Sequence, residues 1–269
     1  MNLSDVGYQY LELMKSALTA SLYEESAWQL VRPSSKFKKI ILRILARISL
    51  RVVKFKPFEA EARQNGEDWP MFGFTMAGIN RLSNIQNCVN DVISENIVGD
   101  FVECGVWRGG SSIFARAAFD VYGGQDRVVW LADSFEGMPK RTEKDLTDPD
   151  LSQNDYLAVS IEQVQANFSK FGLLDERVKF IKGWFSKTLK NAPIKNISIL
   201  RLDGDYYSST MDALDALYEK VSIGGFVIVD DYNAFSSCKE AISDFFAKKM
   251  ISPDIINIDR LAIYWRKEL

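Results

Sequence analysis

Four places in this sequence set an acid at the end of an apolar run, and each has a chemical use. Glu103 precedes a glycine cluster, Gly105, Gly109 and Gly110, with Ser111 and Ser112 directly after. That order predicts a strand, a tight loop and a helix start. The glycines tolerate positive φ and close backbone approach, and the serines stand where an N-cap is expected ahead of residues 113–121. Asp133 ends the run 127–133, Asp203 follows 197–202, and Asp230 with Asp231 follows 225–229. A carboxylate ahead of a glycine turn suits a ligand with a cationic end. It is a poor neighbour for a pyrophosphate, which wants backbone N–H groups and a helix N-terminus. The spacing also departs from the Gly-x-Gly-x-x-Gly fingerprint of dinucleotide sites, while an acid ending the second strand can take a ribose diol. Glu103 and Asp133 together describe an amino-acid-bearing nucleoside, for which S-adenosylmethionine is the obvious candidate.

Asp203, Asp230 and Asp231 describe a cation. Three carboxylates converging on one crevice repel one another unless something neutralises them. Neither His nor Cys accompanies them, so the donors are oxygens and a hard ion fits: Mg2+ first, with Mn2+ or Ca2+ as alternatives. The chain contains no His. Ser-His-Asp and Cys-His chemistries are therefore excluded, and proton transfer near neutral pH falls to carboxylates, Lys, Tyr or an activated ligand oxygen.

These acids need a frame that brings strand ends together. The runs 101–104, 127–133, 178–181, 197–202 and 225–229 are short, the last three read as apolar on both faces, and helical spacing over 81–95, 113–121, 159–171, 209–221 and 239–248 lies between and around them. That alternation predicts an α/β, Rossmann-like fold with a mostly parallel sheet, helices on both faces, and the ligand crevice at the carboxyl ends of the strands. Residues 254–258 and 261–265 read as a C-terminal antiparallel hairpin. The stretch 140–156 is polar and follows a strand end, so it is expected to be a mobile lid loop.

Ahead of this domain, residues 4–31 have apolar positions near a helical period and read as one or two helices. Over 32–56, Lys36, Lys39, Arg43, Arg47, Arg51 and Lys54 recur opposite Phe37, Ile41, Ile44, Ile48 and Val52 with no acid among them. That is a basic amphipathic helix. Residues 36–54 can lie on an anionic membrane surface, or bury the apolar stripe on the domain or on a second subunit. Residues 59–69 read as an irregular charged linker with Pro70 marking its end, which divides the chain into an N-terminal helical extension, 1–68, and a main domain, 69–269.

Composition sets bounds. At 269 residues, with 47% hydrophobic and 26% charged residues and a net charge of −3, the chain can bury a full core and has no overall attraction for nucleic acid. Three widely spaced cysteines in no metal-ligand spacing point to buried thiols and a reducing compartment. Without a basic, apolar leader or a run long enough to span a bilayer, a cytoplasmic protein is expected, with the basic helix as the element able to touch the inner membrane surface.

Several of these motifs agree in order and spacing with one family. Thr75 and Met76 with Arg81 and Leu82, the stretch 100–110, the stretch 133–137, Gly183 and Trp184, the stretch 201–206, residues 209–214 and the stretch 225–232 make the chain similar to the macrocin O-methyltransferase (TylF/MycF-type) family, from about Trp69 to Trp265. The resemblance implies a class I methyltransferase fold, S-adenosylmethionine as donor, Mg2+, and a sugar hydroxyl on a natural product or glycan as acceptor. It implies Asp203, Asp230 and Asp231 as metal ligands. It also implies donor contacts at Thr75, Met76, Glu103, Gly109, Ser111, Asp133, Ser134, Gly183 and Trp184, to which the glycine turn adds Gly105 and Gly110, and the fourth strand end Asp203. The catalytic histidine proposed for some members is absent here. Asp203 at the metal edge is the expected proton acceptor, with Asp150 or Asp155 from the polar loop as second choices. An acceptor with vicinal hydroxyls and a homo-oligomer complete the expectation. Two rival readings exist: a glycosyltransferase using the Asp-x-Asp of Asp203 and Asp205, and a non-catalytic donor-binding subunit.

Overall fold

The computed structural model describes residues 5–23, 27–31 and 35–268. The N-terminal elements are α1 (Asp5–Leu18), β1 (Ala27–Leu30), α2 (Lys36–Arg47), β2 (Val53–Lys56) and α3 (Ala60–Gln64). The centre of the chain follows with α4 (Gly78–Ser94), β3 (Asp100–Cys104), α5 (Gly110–Tyr122), β4 (Val129–Asp133), α6 (Ile161–Lys170), β5 (Val178–Lys182) and α7 (Phe185–Thr188). It closes with β6 (Ile197–Leu202), α8 (Tyr207–Leu217), β7 (Val221–Val229), α9 (Ser236–Lys249), β8 (Ile256–Asn257) and β9 (Ile263–Arg266).

Seven strands form one sheet in the order β5-β4-β3-β6-β7-β9-β8. The first five run parallel, and β9 pairs antiparallel with both β7 and β8, giving the expected C-terminal hairpin. Side chains of β3 alternate between two cores. Phe101 joins α1, α4 and α5 on one face through Leu11, Leu82 and Phe114, while Val102 joins α8 and α9 on the other through Leu214 and Ile242. Burial on both faces is why β3 and β6 lack a solvent-facing polar side, whereas β5, expected to be apolar on both faces, lies at the sheet edge and leaves Lys179 and Lys182 exposed. The strand order reverses between β3 and β6, and that switch point is where loops part to leave a crevice.

The N-terminal expectations are corrected. Of the one or two helices expected over 4–31, one forms and stops at Leu18, and Ala27–Leu30 is a strand; Ser4 and residues 24–26 lie outside the described residues. The basic helix stops at Arg47, and Ser49 turns into the left-handed region at φ 61. Beyond it, Val53 to Lys56 alternates apolar with Lys, a period of two that suits a strand, and pairs antiparallel with β1. The expected linker 59–69 contains α3, whose buried Arg63 bonds Asp68 at 2.8 Å and the Thr19 carbonyl at 2.7 Å. Through these bonds it ties the end of α1 to the chain ahead of Pro70. Leu11, Met14 and Leu18 of α1 are themselves part of the main core.

The polar stretch 140–156 is anchored by two of its acids. Asp145 accepts from the backbone N–H groups of Thr142 at 2.8 Å and Tyr207 at 2.9 Å. Asp148 accepts from Ser236 at 3.0 Å and Ser237 at 2.9 Å, supplying from a distant loop the N-terminal cap that α9 lacks locally. Tyr206 Oη adds bonds to Pro149 and Leu151, each 2.8 Å.

Candidate active site

The parallel ladder carries its hydrogen bonds up to the rim of the sheet. Gly105 donates to the Ala132 carbonyl at 2.9 Å, Asp203 to Cys104 at 2.8 Å, and Asp230 to Leu202 at 2.9 Å. These bonds bring the loops after β3, β4, β6 and β7 to one edge, so the acids that end those strands lie side by side. Gly105 is indispensable there: at φ 90 its Cα approaches the Asp203 carbonyl so closely that a Cβ would stand 1.8 Å from the oxygen. Three non-glycine residues with positive φ, Trp107, Phe135 and Asp205, occupy the loops after β3, β4 and β6. Strained backbone of this kind, at roughly 1–3 kcal/mol per residue, gathers where a site demands it.

On the β3–β4 side, Asp133 is held by backbone N–H groups of Val106 and Phe135, both 2.7 Å from its oxygens. Burial raises its pKa, against the pull of those bonds. Gly183 donates to the Asp133 carbonyl at 2.8 Å and sets Trp184 beside it, while Ser134 donates to the Gly137 carbonyl at 2.8 Å. The glycine loop differs from expectation in one detail. Gly109, left-handed at φ 86, is the N-cap of α5, and Ser111 and Ser112 lie inside its first turn. Ser112 instead donates to Glu103, and Ser111 bonds Thr75 at 3.1 Å. Gly110 makes this possible, since a Cβ there would meet the Phe74 carbonyl at 2.5 Å.

Glu103 is 1% exposed and its other oxygen accepts from Arg201 at 2.6 Å. Strand register places the two residues opposite each other across β3 and β6. Arg201 also pairs with Asp203 at 2.7 Å and with Asp230, whose second oxygen pairs with Arg81. Arg81 continues to Asp259 at 2.8 Å, and Asp259 accepts from the backbone of Leu261 and Ala262 in the turn before β9. A chain of alternating acids and guanidinium groups thus runs from the glycine loop to the terminal hairpin. Burial pushes the Glu103 carboxyl up to about 7 in spite of Arg201 and Ser112. Burial also presses Asp230 upward, but its two arginines outweigh it and the net shift is down.

Asp203, Asp205 and Asp231 present oxygens that all lie within 4.8 Å of one another. Among the described residues no Lys or Arg forms an ion pair with Asp205 or Asp231. Asp205 is pushed up to about 7 by burial and by Asp203; Asp231 is raised by burial and by Asp205, Asp203 and Asp230. Asp203 is raised by burial, with Arg201 working against it. Such a cluster fits a hard divalent cation, since oxygen donors alone surround it and its charge is uncompensated.

Two cavities share Gly105, Asp133, Gly137, Met138 and Asp203. One, of about 300 Å³, runs between Ser134, Trp184 and Phe185. The other, of about 240 Å³, holds Thr75, Met76, Glu103, Ser111 and all four rim aspartates, walled by Trp69, Trp107, Leu151, Leu157 and Phe235. Asp150 and Asp155 are exposed and line neither cavity. Asp150 accepts from its own turn at Ser152 instead. Arg81 and Arg201 do not stand out from sequence as site residues, and Asp205 does so only in the glycosyltransferase reading. Arg201 carried a usable signal: β6, expected to be apolar on both faces, has one charge in its interior, and a charge buried between two strands demands partners.

The fold and the rim together define a class I methyltransferase. Residues 7–267 match the family Macrocin-O-methyltransferase (TylF). The demethyldecarbamoylnovobiocin O-methyltransferase of Streptomyces niveus is 42% identical over 262 residues, 96% of this chain and 93% of that protein. An 8-demethyl-8-(2,3-dimethoxy-alpha-L-rhamnosyl)-tetracenomycin-C 4'-O-methyltransferase of Streptomyces olivaceus is 43% identical over 261 residues, 96% of this chain and 92% of that one. The solved structure of the O-methyltransferase NovP superposes with a TM-score of 0.85 at 41% identity, over 98% of this chain and 100% of that chain. The chain belongs to the macrocin O-methyltransferase family and is an O-methyltransferase. Its family relationship begins at residue 7, so α1 is included in it. The glycosyltransferase reading of Asp203 and Asp205 is overturned by this membership.

Proposed function

We propose that this enzyme moves a methyl group from S-adenosylmethionine to a hydroxyl of a sugar carried on a natural product or glycan, with a divalent cation at the acid rim. The observation that carries the reading is the shared wall of the two cavities: Gly105, Asp133 and Asp203 belong both to the pocket suited to a nucleoside and to the one holding the acids. Kinship to a relative named for a rhamnosyl 4'-oxygen supports a sugar acceptor.

In this reading Asp133 accepts from the ribose hydroxyls, Ser134 and Trp184 flank the base, and Thr75, Met76, Ser111 and Glu103 line the methionine end. The donor supplies an electrophilic methyl on a sulfonium. Asp203, Asp230 and Asp231 hold the cation, with Asp205 as the fourth carboxylate facing it. Pairing with arginine does not withdraw Asp230, because a carboxylate oxygen keeps a lone pair beyond one guanidinium contact. When bound, Mg2+, or Mn2+ or Ca2+ in its place, supplies Lewis acidity that lowers the pKa of vicinal hydroxyls. Asp203, whose side chain is 34% exposed to the crevice, accepts the acceptor's proton. Trp69, Trp107, Leu151, Leu157 and Phe235 exclude water and orient the sugar, so that most of the acceleration comes from alignment. Asp150 and Asp155 take no part without rearrangement of their loop.

Isothermal titration with S-adenosylmethionine and with Mg2+, followed by a screen of glycosylated acceptors with and without a chelator, tests the reading. Saturable donor binding and chelator-sensitive methylation are expected. Absence of donor binding, or transfer indifferent to the chelator, would overturn it.

A further inference from the structure

The arm from Ser35 to Lys56 is the part of the chain that the active site does not use. Ser35 caps α2 by accepting from the Lys38 N–H, and no described side chain of α2 is buried. Phe37, Ile41, Ile44 and Ile48 follow one another at steps of four, three and four, forming a single apolar stripe, and they are 72%, 41%, 56% and 64% exposed. Lys39, Arg43 and Arg47 line one flank and Lys38 the other, with Arg51 and Lys54 continuing the basic character into β2. All six cations are exposed, and none has an acidic partner among the described residues. A helix of 12 residues standing alone in water is marginal, so a stripe of this kind needs a cover. The described residues provide none.

We propose that this arm docks on an anionic lipid bilayer, with the stripe entering the interface and the lysines and arginines facing the headgroups. Charge decides the occupant. From Ser35 to Lys56 there are Lys and Arg but no Asp or Glu, a composition that matches a negative surface and the pattern of interfacial helices. Two arms meeting about a two-fold axis would instead bring like charges together around the apolar contact. None of residues 35–56 lines either cavity of the active site.

The test is sedimentation of the full chain with vesicles of phosphatidylcholine alone and of equal parts phosphatidylcholine and phosphatidylglycerol. Binding to the second and not the first is expected, weakening as salt rises. Arg43→Gln with Arg47→Gln should lower partitioning about thirtyfold, following from roughly 1 kcal/mol per basic residue. Ile44→Asp with Ile48→Asp should abolish it. Unchanged affinity for S-adenosylhomocysteine in both pairs shows that the domain remains folded. Failure of the parent chain to sediment with anionic vesicles overturns the proposal, as does undiminished binding by either pair. Light scattering covers the remaining case: a dimer that Ile44→Asp with Ile48→Asp splits into monomers, with no vesicle binding by the parent, makes a second copy the cover and sinks the lipid assignment.

Discussion

The acids at the rim fall into two groups that answer the same electrostatic problem in different ways. Glu103 and Asp230 build the wall of the crevice and are neutralised by Arg201 and Arg81 from within the chain. Asp205 and Asp231 face the cavity and one another without such partners, and Asp203 stands between the groups with one oxygen on Arg201. A guanidinium beside a buried acid favours its ionised form, whereas burial and neighbouring acids favour the protonated one. Asp230 is lowered while Asp205 and Asp231 are raised, in line with that division; Glu103 departs from it, because burial pushes its carboxyl up to about 7 in spite of Arg201. The internal cations therefore hold the scaffold of the site rigid, and the uncompensated side is left for a charge from outside.

The comparison breaks first at catalysis. Asp230→Asn should cut methyl transfer by at least about a hundredfold while barely changing the S-adenosylmethionine affinity read by titration, since it takes charge from a proposed cation ligand that also anchors both arginines, and leaves Asp133 alone. A large loss of donor binding would refute the assigned role. The next largest effect belongs to the internal cation. Arg201→Met leaves Glu103, Asp203 and Asp230 facing one another in a buried site, and removing one partner of a buried ion pair costs about 3–5 kcal/mol. Urea unfolding should show a loss of that order, with Arg201→Lys losing less. A change below about 1 kcal/mol would mean that the guanidinium network does not hold the rim together.

The unpaired side should respond with the opposite sign. Asp205 in the folded protein has its carboxyl pushed up to about 7, well above its value in an unfolded chain. A group of this kind favours the folded state at low pH, and the advantage disappears as pH rises through its folded pKa. Cation-free protein should therefore melt at a lower temperature at pH 8 than at pH 5. Asp205→Asn should flatten that slope and raise the melting temperature at pH 8, by about 2–4 °C for each kcal/mol recovered. Added Mg2+ should raise it in the parent chain and less in the variant. Calorimetry across this range checks both, and a melting temperature that climbs from pH 5 to pH 8 contradicts the account.

Much of this arrangement could be read from residue types. Apolar runs that end in acids located Asp133, Asp203, Asp230 and Asp231 at strand ends, because a parallel strand buried on both faces has nowhere else for a carboxylate. Glycines at 105, 109 and 110 marked the turn for the same steric reason. Partnership was harder to read. The β3–β6 register that sets Glu103 against Arg201 is a long-range pairing, and the link from Arg81 on α4 to Asp259 spans most of the chain. Periodicity also misled over 51–56, where Val52 continued the helical stripe on paper while the Val and Phe that follow alternate with Lys as a strand. In the polar loop, capping residues and general bases are the same residue types, and only the backbone they face sets Asp145 and Asp148 apart as anchors.

Asp148 turns that last point into the smallest of the predicted effects. It is an acid in the loop above the crevice, yet its oxygens accept from Ser236 and Ser237 and start α9. These bonds outweigh burial and hold its carboxyl below the usual range, the reverse of Asp205. Asp148→Ala should therefore cost the roughly 0.5–2 kcal/mol of a lost cap, and its effect should not change when Mg2+ is added. Because the same loop continues to Leu151 in the cavity wall, acceptor KM should rise more than kcat falls. Were kcat to drop as far as for Asp230→Asn with KM unchanged, Asp148 would belong to the chemistry, and the distinction between acids that shape the loop and acids that serve the rim would have to be redrawn.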